Sequence, residues 1–269
     1  MITRFELVVR PQRDALLPAE HGRQVKGLVY GWLRVGDPAV AGQAHPSPAG
    51  GTAAFTCSHL LEAPPPQEGG CRLSRGECYR LQVTALTAAV GRALVAGMPR
   101  LGGSVHLDRV PLHVLDLRVV EQVAYADLLR RPTAARWRLC FLSPVVLTVS
   151  TPADRDTSML LPLPRLLVHS LLRRWEALAP AELPRAGEGF LQAVEGMVHL
   201  SDIRELASAP QWAERAMRGL VGEVELAVLG SLSPSDFALL NVLLHYAPYA
   251  GIGGRTAEGR GAVAAEPVR

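Results

Sequence analysis

The sequence predicts an α+β protein in which the element order β-α-β-β-α-β runs twice. Three observations point there. Strand and helix patterns in the first half follow that order, and the second half repeats it in order though not in sequence. The length of 269 residues suits one large domain or two small ones with real cores. The composition, 48% hydrophobic and 20% charged, is that of a globular chain.

The elements follow in order. Thr3 to Arg10 alternates and is rich in β-branched residues, so it reads as a strand. Pro18 to Leu33 reads as a helix with Pro18 in its first turn. Asp37 to Thr52 is rich in Pro, Gly, Ala and Ser and reads as a loop, and Ala54 to Leu61 as the second strand. After a Pro/Gly-rich turn from Ala63 to Gly70, Glu77 to Leu86 is the third strand. Thr87 to Met98 is a short amphipathic helix and Leu112 to Val120 a final strand. The second set begins with a strand over Trp137 to Ser150 and a Leu-rich helix over Pro164 to Leu178. Met197 to Ala209 reads as a strand with an irregular lead-in, and Gly187 to Gly196 as strand or helix equally. Leu220 to Leu229 alternates clearly, Ser233 to Tyr246 is a helix opened by the capping signal Ser-Pro-Ser-Asp, and Gly261 to Val268 closes the set. This is the ferredoxin-like (RRM-like) order in tandem. It predicts an N-terminal domain over residues 1–125 and a C-terminal domain over 136–269, with the boundary near Tyr125 to Ala135.

The formal charge is +3, and the basic residues are arginines except for Lys26. So small an excess matters for nucleic acid only where the arginines cluster. Arg130, Arg131, Arg136 and Arg138 form one such cluster near the domain boundary. Four cysteines, Cys57, Cys71, Cys78 and Cys140, contain no Cys-x-x-Cys pair, so ordinary thiols in a reducing cytosol are expected and no metal site. No signal peptide precedes the first strand and no apolar run spans a bilayer, so a soluble, cytoplasmic protein without a membrane partner or cofactor is expected.

The first helix has two faces. At 100° per residue, Val25, Leu28, Val29 and Trp32 share one side, and Arg23, Lys26, Tyr30 and Arg34 the other. The second stripe reads as a solvated face or as a surface for phosphate.

The sharpest motif runs from His245 to Gly261: His-Tyr-Ala-Pro-Tyr-Ala-Gly-Ile-Gly-Gly-Arg-Thr-Ala-Glu-Gly-Arg-Gly. It follows a helix and precedes a strand, the reverse of a dinucleotide fingerprint, and it lacks the Gly-Lys-Ser/Thr ending of a P-loop. Gly251, Gly253, Gly254, Gly259 and Gly261 permit close backbone approach and positive φ. Consecutive amides in such loops can form a phosphate nest. Arg255 and Arg260 add charge, and Tyr246 and Tyr249 are candidates to stack on bases. A glycine-rich surface turn is the plain reading of the same residues.

At this loop the sequence resembles the Cas-six branch of the RAMP superfamily of CRISPR proteins. That branch ends in aromatic-x-Gly-hydrophobic-Gly-x-Lys/Arg-Thr/Ser-x-x-Gly-x-Gly, and here Tyr249-Ala-Gly-Ile-Gly-Gly-Arg-Thr-Ala-Glu-Gly-Arg-Gly261 has that spacing. Phe141-Leu-Ser-Pro-Val resembles the strand that opens the family's second domain, and Leu171-Leu-Arg-Arg-Trp175 its following helix. Gly219-Leu-Val-Gly222 is similar to the family too, and Gly27-Leu-Val-Tyr30, His45 and Phe55-Thr-Cys-Ser58 resemble its N-terminal signature. The resemblance implies tandem ferredoxin-like domains with RNA along their shared face. It implies metal-independent cleavage of precursor CRISPR RNA within each repeat, leaving a 2′,3′-cyclic phosphate and a 5′-hydroxyl.

By the same resemblance His45 takes the place of the catalytic histidine, an imidazole suited to acid–base work near neutrality. Tyr30 matches a position that orients the scissile nucleotide. Several family members carry a lysine after the histidine, whereas here Pro46 to Thr52 is uncharged, so Lys26 or a neighbouring arginine is the candidate positive charge. Arg23, Arg34, Tyr249, Gly251, Gly253, Gly254, Arg255, Thr256, Gly259, Arg260 and Gly261 are the candidate RNA contacts. His21 is the backup acid or base, and His59 reads as structural. His106, His113, His169 and His199 read as core or surface residues, while His245 borders the glycine loop within reach of RNA. The expected partner is CRISPR repeat RNA, with room for other effector subunits and for a homodimer. The alternatives are a non-catalytic RNA-binding RAMP subunit of an effector complex, and a small-molecule enzyme that uses the loop for a nucleotide.

Overall fold

The computed structural model describes residues 1–18, 21–44, 51–64, 70–150, 156–209 and 219–268. The chain forms two compact units. One comprises Met1–Val123 with Ala257–Gly259, the other Ala124–Thr256 with Arg260–Arg269. Both have the ferredoxin-like α+β fold.

In the first unit the elements are β1 (Ile2–Pro11), β2 (Ala15–Leu17), α1 (Gly22–Gly36), α2 (Pro38–Ala44), β3 (Phe55–Cys57), β4 (Cys71–Leu73), β5 (Tyr79–Ala85), α3 (Ala88–Gly97), β6 (Ser104–Leu107) and β7 (Val110–Val123). The main sheet is antiparallel with strand order β3-β5-β1-β7-β6, and β2 and β4 pair separately. Alternation along β1 sends Phe5, Leu7 and Val9 into the core, while Arg4, Glu6 and Arg10 lie on the opposite side. On the core side α1 packs against α3. Val25, Val29 and Trp32 of α1 are buried, as the helical spacing predicts. Trp32 fills the contact: its Nε1 donates to the Leu94 carbonyl at 2.8 Å, and its ring meets Phe5 edge-on at 5.4 Å.

The second unit contains α4 (Tyr125–Leu128), β8 (Arg136–Val145), β9 (Leu147–Ser150), β10 (Asp156–Met159), α5 (Pro164–Leu178), α6 (Phe190–Met197), β11 (Val198–Ala209), β12 (Gly219–Val228), α7 (Pro234–Ala250) and β13 (Val263–Pro267). Its sheet order, β11-β12-β8-β13, repeats the order of β3-β5-β1-β7, and β9 and β10 form a separate hairpin. Trp137, Leu139 and Phe141 of β8, Leu167, Leu171 and Trp175 of α5, and Leu239, Leu243 and Tyr246 of α7 are all buried, and α5 packs against α7. No helix among the described residues is long and apolar enough to cross a membrane.

Several expectations are corrected. The stretch after α1 is not all loop. Asp37 Oδ1 accepts from Ala39 N and Val40 N, and with Pro38 at the first position this starts α2. Gly187 to Gly196 resolves to helix in α6, which begins at Phe190. α7 runs past Tyr246 to Ala250 with Pro248 inside it. Proline there removes one hydrogen bond from the last turn, and Gly251 N donates to Ala247 O at 2.8 Å to close it. The short strands β2, β4 and β6 carry too few residues for a periodic signal.

Trp32→Ala removes a fully buried indole and its hydrogen bond. It is expected to lower unfolding free energy by about 3–5 kcal/mol, read as a fall in the urea midpoint at unchanged slope.

Candidate functional site

The polar face of α1 is the first part of the site. Arg23 and Arg34 are exposed on it and make no ion pair among the described residues. Lys26 is partly buried, with Nζ 3.1 Å from Glu258 Oε1. Tyr30 packs edge-on against Phe55 at 5.2 Å, and its hydroxyl donates to the Ala44 carbonyl at 3.1 Å. Burial pushes the Tyr30 phenol up to about 12, so it keeps its proton at neutral pH. Ala44 ends α2 and precedes His45, which lies outside the described residues, as do 46–50 of the uncharged stretch after it.

Residues Ala257–Gly259 of the glycine-rich segment are the second part, and they count with the first unit. Ala257 joins that unit's hydrophobic core. Cys57 Sγ donates to the Ala257 carbonyl at 2.9 Å, and His59 Nε2 bonds the Glu258 carbonyl at 3.2 Å. Burial pushes the Cys57 thiol up to about 12, so it stays a donor.

His21 sits against His59, ring centroids 4.8 Å apart. Its Nδ1 lies 3.2 Å from the Pro18 carbonyl and its Nε2 accepts from Leu60 N at 3.2 Å, which defines a neutral tautomer protonated on Nδ1. Burial, and then the neighbouring His59, pull its pKa down to about 4. His59 is lowered in the same direction by burial. His21 is therefore a buried structural imidazole rather than a backup acid or base. Both ring nitrogens serve the fold, and the ring is 2% exposed.

In the second unit the glycine-rich loop is built differently from an open nest. Ile252 N donates to Gly261 O, Gly253 N to Ser170 Oγ, Gly254 N to Val146 O and Gly261 N to Pro144 O. The Gly253 carbonyl accepts from Arg174, which lies one turn after Ser170 on α5. Gly253 has φ +81 and Gly261 φ +69, and a Cβ would meet Val146 O at 2.4 Å in the first and Ile252 O at 1.9 Å in the second. These two glycines are thus demanded by backbone packing. Gly251, Thr256, Gly259 and Arg260 are buried, while Gly254 and Arg255 are half-buried. Arg255 has φ +59.

The expected stacking platform is absent. Tyr249 is 4% exposed, accepts from Arg131 at 2.9 Å and has that guanidinium 5.7 Å from its ring centroid. Tyr246 is wholly buried, between Tyr125 and Trp175. His245 Nε2 bonds the Pro132 carbonyl at 2.9 Å. The arginine cluster is likewise engaged: Arg130 pairs with Asp127 at 3.1 Å, Arg136 with Glu225 at 3.6 Å and Arg138 with Glu223 at 3.2 Å.

Sequence reasoning passed over Glu258, Cys57, Ser170 and Arg174. Glu258 is the one carboxylate in the motif from His245 to Gly261, a signal visible in the sequence. The roles of Cys57 and Ser170 need the three-dimensional path of the loop. Among the described residues no group of three or more His, Cys, Asp or Glu could hold a metal ion.

Residues 139–263 match the model for the CRISPR-associated endoribonuclease Cas6, the Cas-six type. No curated relative matches. The structure is similar to a Cas6 product complex from Thermus thermophilus, with TM-score 0.80 at 23% identity, covering 99% of this chain and 100% of that one. It is similar to a Cas6 substrate mimic complex, with TM-score 0.71 at 23% identity over 98% and 99%. It also resembles a Cas6-related protein of Pyrococcus furiosus, with TM-score 0.68 at 16% identity over 100% of both chains.

Folding lowers the pKa of His21, so the unfolded chain takes up its proton at a higher pH than the folded one. The stability contributed by neutral His21 is complete above its ordinary 6.5 and is lost as pH falls toward 4. The loss is expected to be at most about 3 kcal/mol. Urea midpoints at pH 7.5 and 4.5 should fall more steeply for the natural protein than for His21→Gln.

Proposed function

We propose that the chain is an endoribonuclease that cleaves precursor CRISPR RNA within its repeats, a reading supported by the match of residues 139–263 to the Cas6 model. The reaction is transesterification. The ribose 2′-oxygen attacks the adjacent phosphorus, the bond to the 5′-oxygen breaks, and a 2′,3′-cyclic phosphate and a 5′-hydroxyl result. One proton leaves the 2′-hydroxyl and one reaches the departing 5′-oxygen, and no metal is required.

His45 is the proton-transfer residue. Tyr30, whose phenol keeps its proton up to about 12 and gives it to the Ala44 carbonyl, orients the scissile nucleotide by position rather than acting as a base. Lys26 offsets the charge gathering on the phosphorane. Arg23 and Arg34 contact the flanking phosphates from the same helix face, and Arg255 contacts the backbone from the second unit.

The observation that carries this reading is the hydrogen bond from Tyr30 to the Ala44 carbonyl. It ties the phosphate-facing side of α1 to the residue next to His45. The uncharged stretch after His45 favours one rival, a RAMP subunit that binds repeat RNA without cutting it.

Labelled repeat RNA incubated with the protein in chelator decides between them. Specific cutting that falls by roughly 10²–10⁴-fold in His45→Ala is expected for one positioned proton transfer. Tight binding without cutting establishes the rival, and cutting only with added divalent ion overturns the mechanism.

A further inference from the structure

The backbone around Glu258 is fixed from several sides. Its carbonyl is bonded by His59, and the preceding carbonyl by Cys57. At the start of α1, Gly22 leaves no room for a side chain: a Cβ there would lie 1.9 Å from Glu258 O. The side chain then reaches the polar face of α1 and meets Lys26 at 3.1 Å. The two side chains are only 25% and 19% exposed, so the pair is screened less than a surface pair. A lysine stem is rich in rotamers, and such a pair orders it before any RNA arrives.

We propose that Glu258 is a positioning residue that holds the ammonium of Lys26 for the phosphate being cleaved. The proposal rests on the functional reading above. A carboxylate that merely competed with phosphate for Lys26 would have the opposite effect, since its removal would tighten RNA binding and speed the reaction.

Lys26 is the chain's only lysine, which makes the test direct. Full-length protein carrying isotope-labelled lysine yields a single set of lysine side-chain resonances. In the natural protein the two ε-methylene protons of Lys26 should be distinct, as for an immobilised stem, and in Glu258→Gln they should merge. The same variant is expected to cut repeat RNA about tenfold more slowly under single turnover, equivalent to about 1.4 kcal/mol. Its RNA dissociation constant should change by less than about twofold, because only the reacting phosphate is affected. Glu258→Asp should recover part of the rate.

If Glu258→Gln cuts as fast as the natural protein, or faster with tighter binding, the proposal falls while the endoribonuclease reading stands. Resonances unaltered in Glu258→Gln overturn it too. Failure of the natural protein to cut overturns both, with the resonances still reporting whether the pair exists.

Discussion

The passage of Glu258 against the first turn of α1 constrains everything built around it. Its carbonyl lies where a side chain on residue 22 would begin, so the helix must start on glycine and the segment must approach as bare backbone. Once there, its carbonyls need donors from the buried side chains around them, since an unbonded buried carbonyl costs about 1–3 kcal/mol. The thiol of Cys57 and the imidazole of His59 meet that need. Both come from β3 and the residues just after it. Burial lowers the pKa of both His21 and His59, and each ring is bonded within the fold.

Charge is distributed by the same logic of pairing. Arginines dominate the basic residues, yet several on the open sheet faces are matched by acids from neighbouring strands. Arg80 and Arg118 flank Glu6 in the first unit, and Arg138 and Arg204 flank Glu223 in the second. Strand alternation turns Trp137 and Phe141 of β8 inward. An RRM-like order therefore does not imply an RRM-like surface with aromatic rings on the sheet. On α1, by contrast, Arg23 and Arg34 are exposed on the same face as Lys26.

How far the sequence was legible follows from the range of each interaction. The period of 3.6 in α1 and the period of 2 in β1 and β12 are local, and they identified one helix and two strands correctly. Trp32 and Val29 went inward and Arg23 and Arg34 outward. The capping signal at Ser233 is local too, and its hydroxyl accepts from Asp236 N at 3.1 Å. Ion pairing across strands and loops is not. Nothing near Lys26 in the chain announces a carboxylate 232 residues away. From the sequence Tyr249 is a candidate to stack on bases, whereas in the fold it is buried and bonded by Arg131 from a distant part of the chain. His45 was named on family resemblance and stays an expectation, since it falls outside the described residues.

The glycine-rich loop shows why a pattern and its purpose separate. Positive φ and missing Cβ atoms are what a phosphate nest needs. They are equally what a chain needs to fold tightly onto itself, and here Gly253 and Gly261 meet carbonyls of Val146 and Ile252 at distances no side chain permits. The amides of residues 252, 253, 254 and 261 are already bonded within the protein. An amide that donates to a carbonyl or hydroxyl has no second proton for a phosphate oxygen. These four amides are therefore spent within the fold, and the glycines serve here as packing positions of a tightly folded segment.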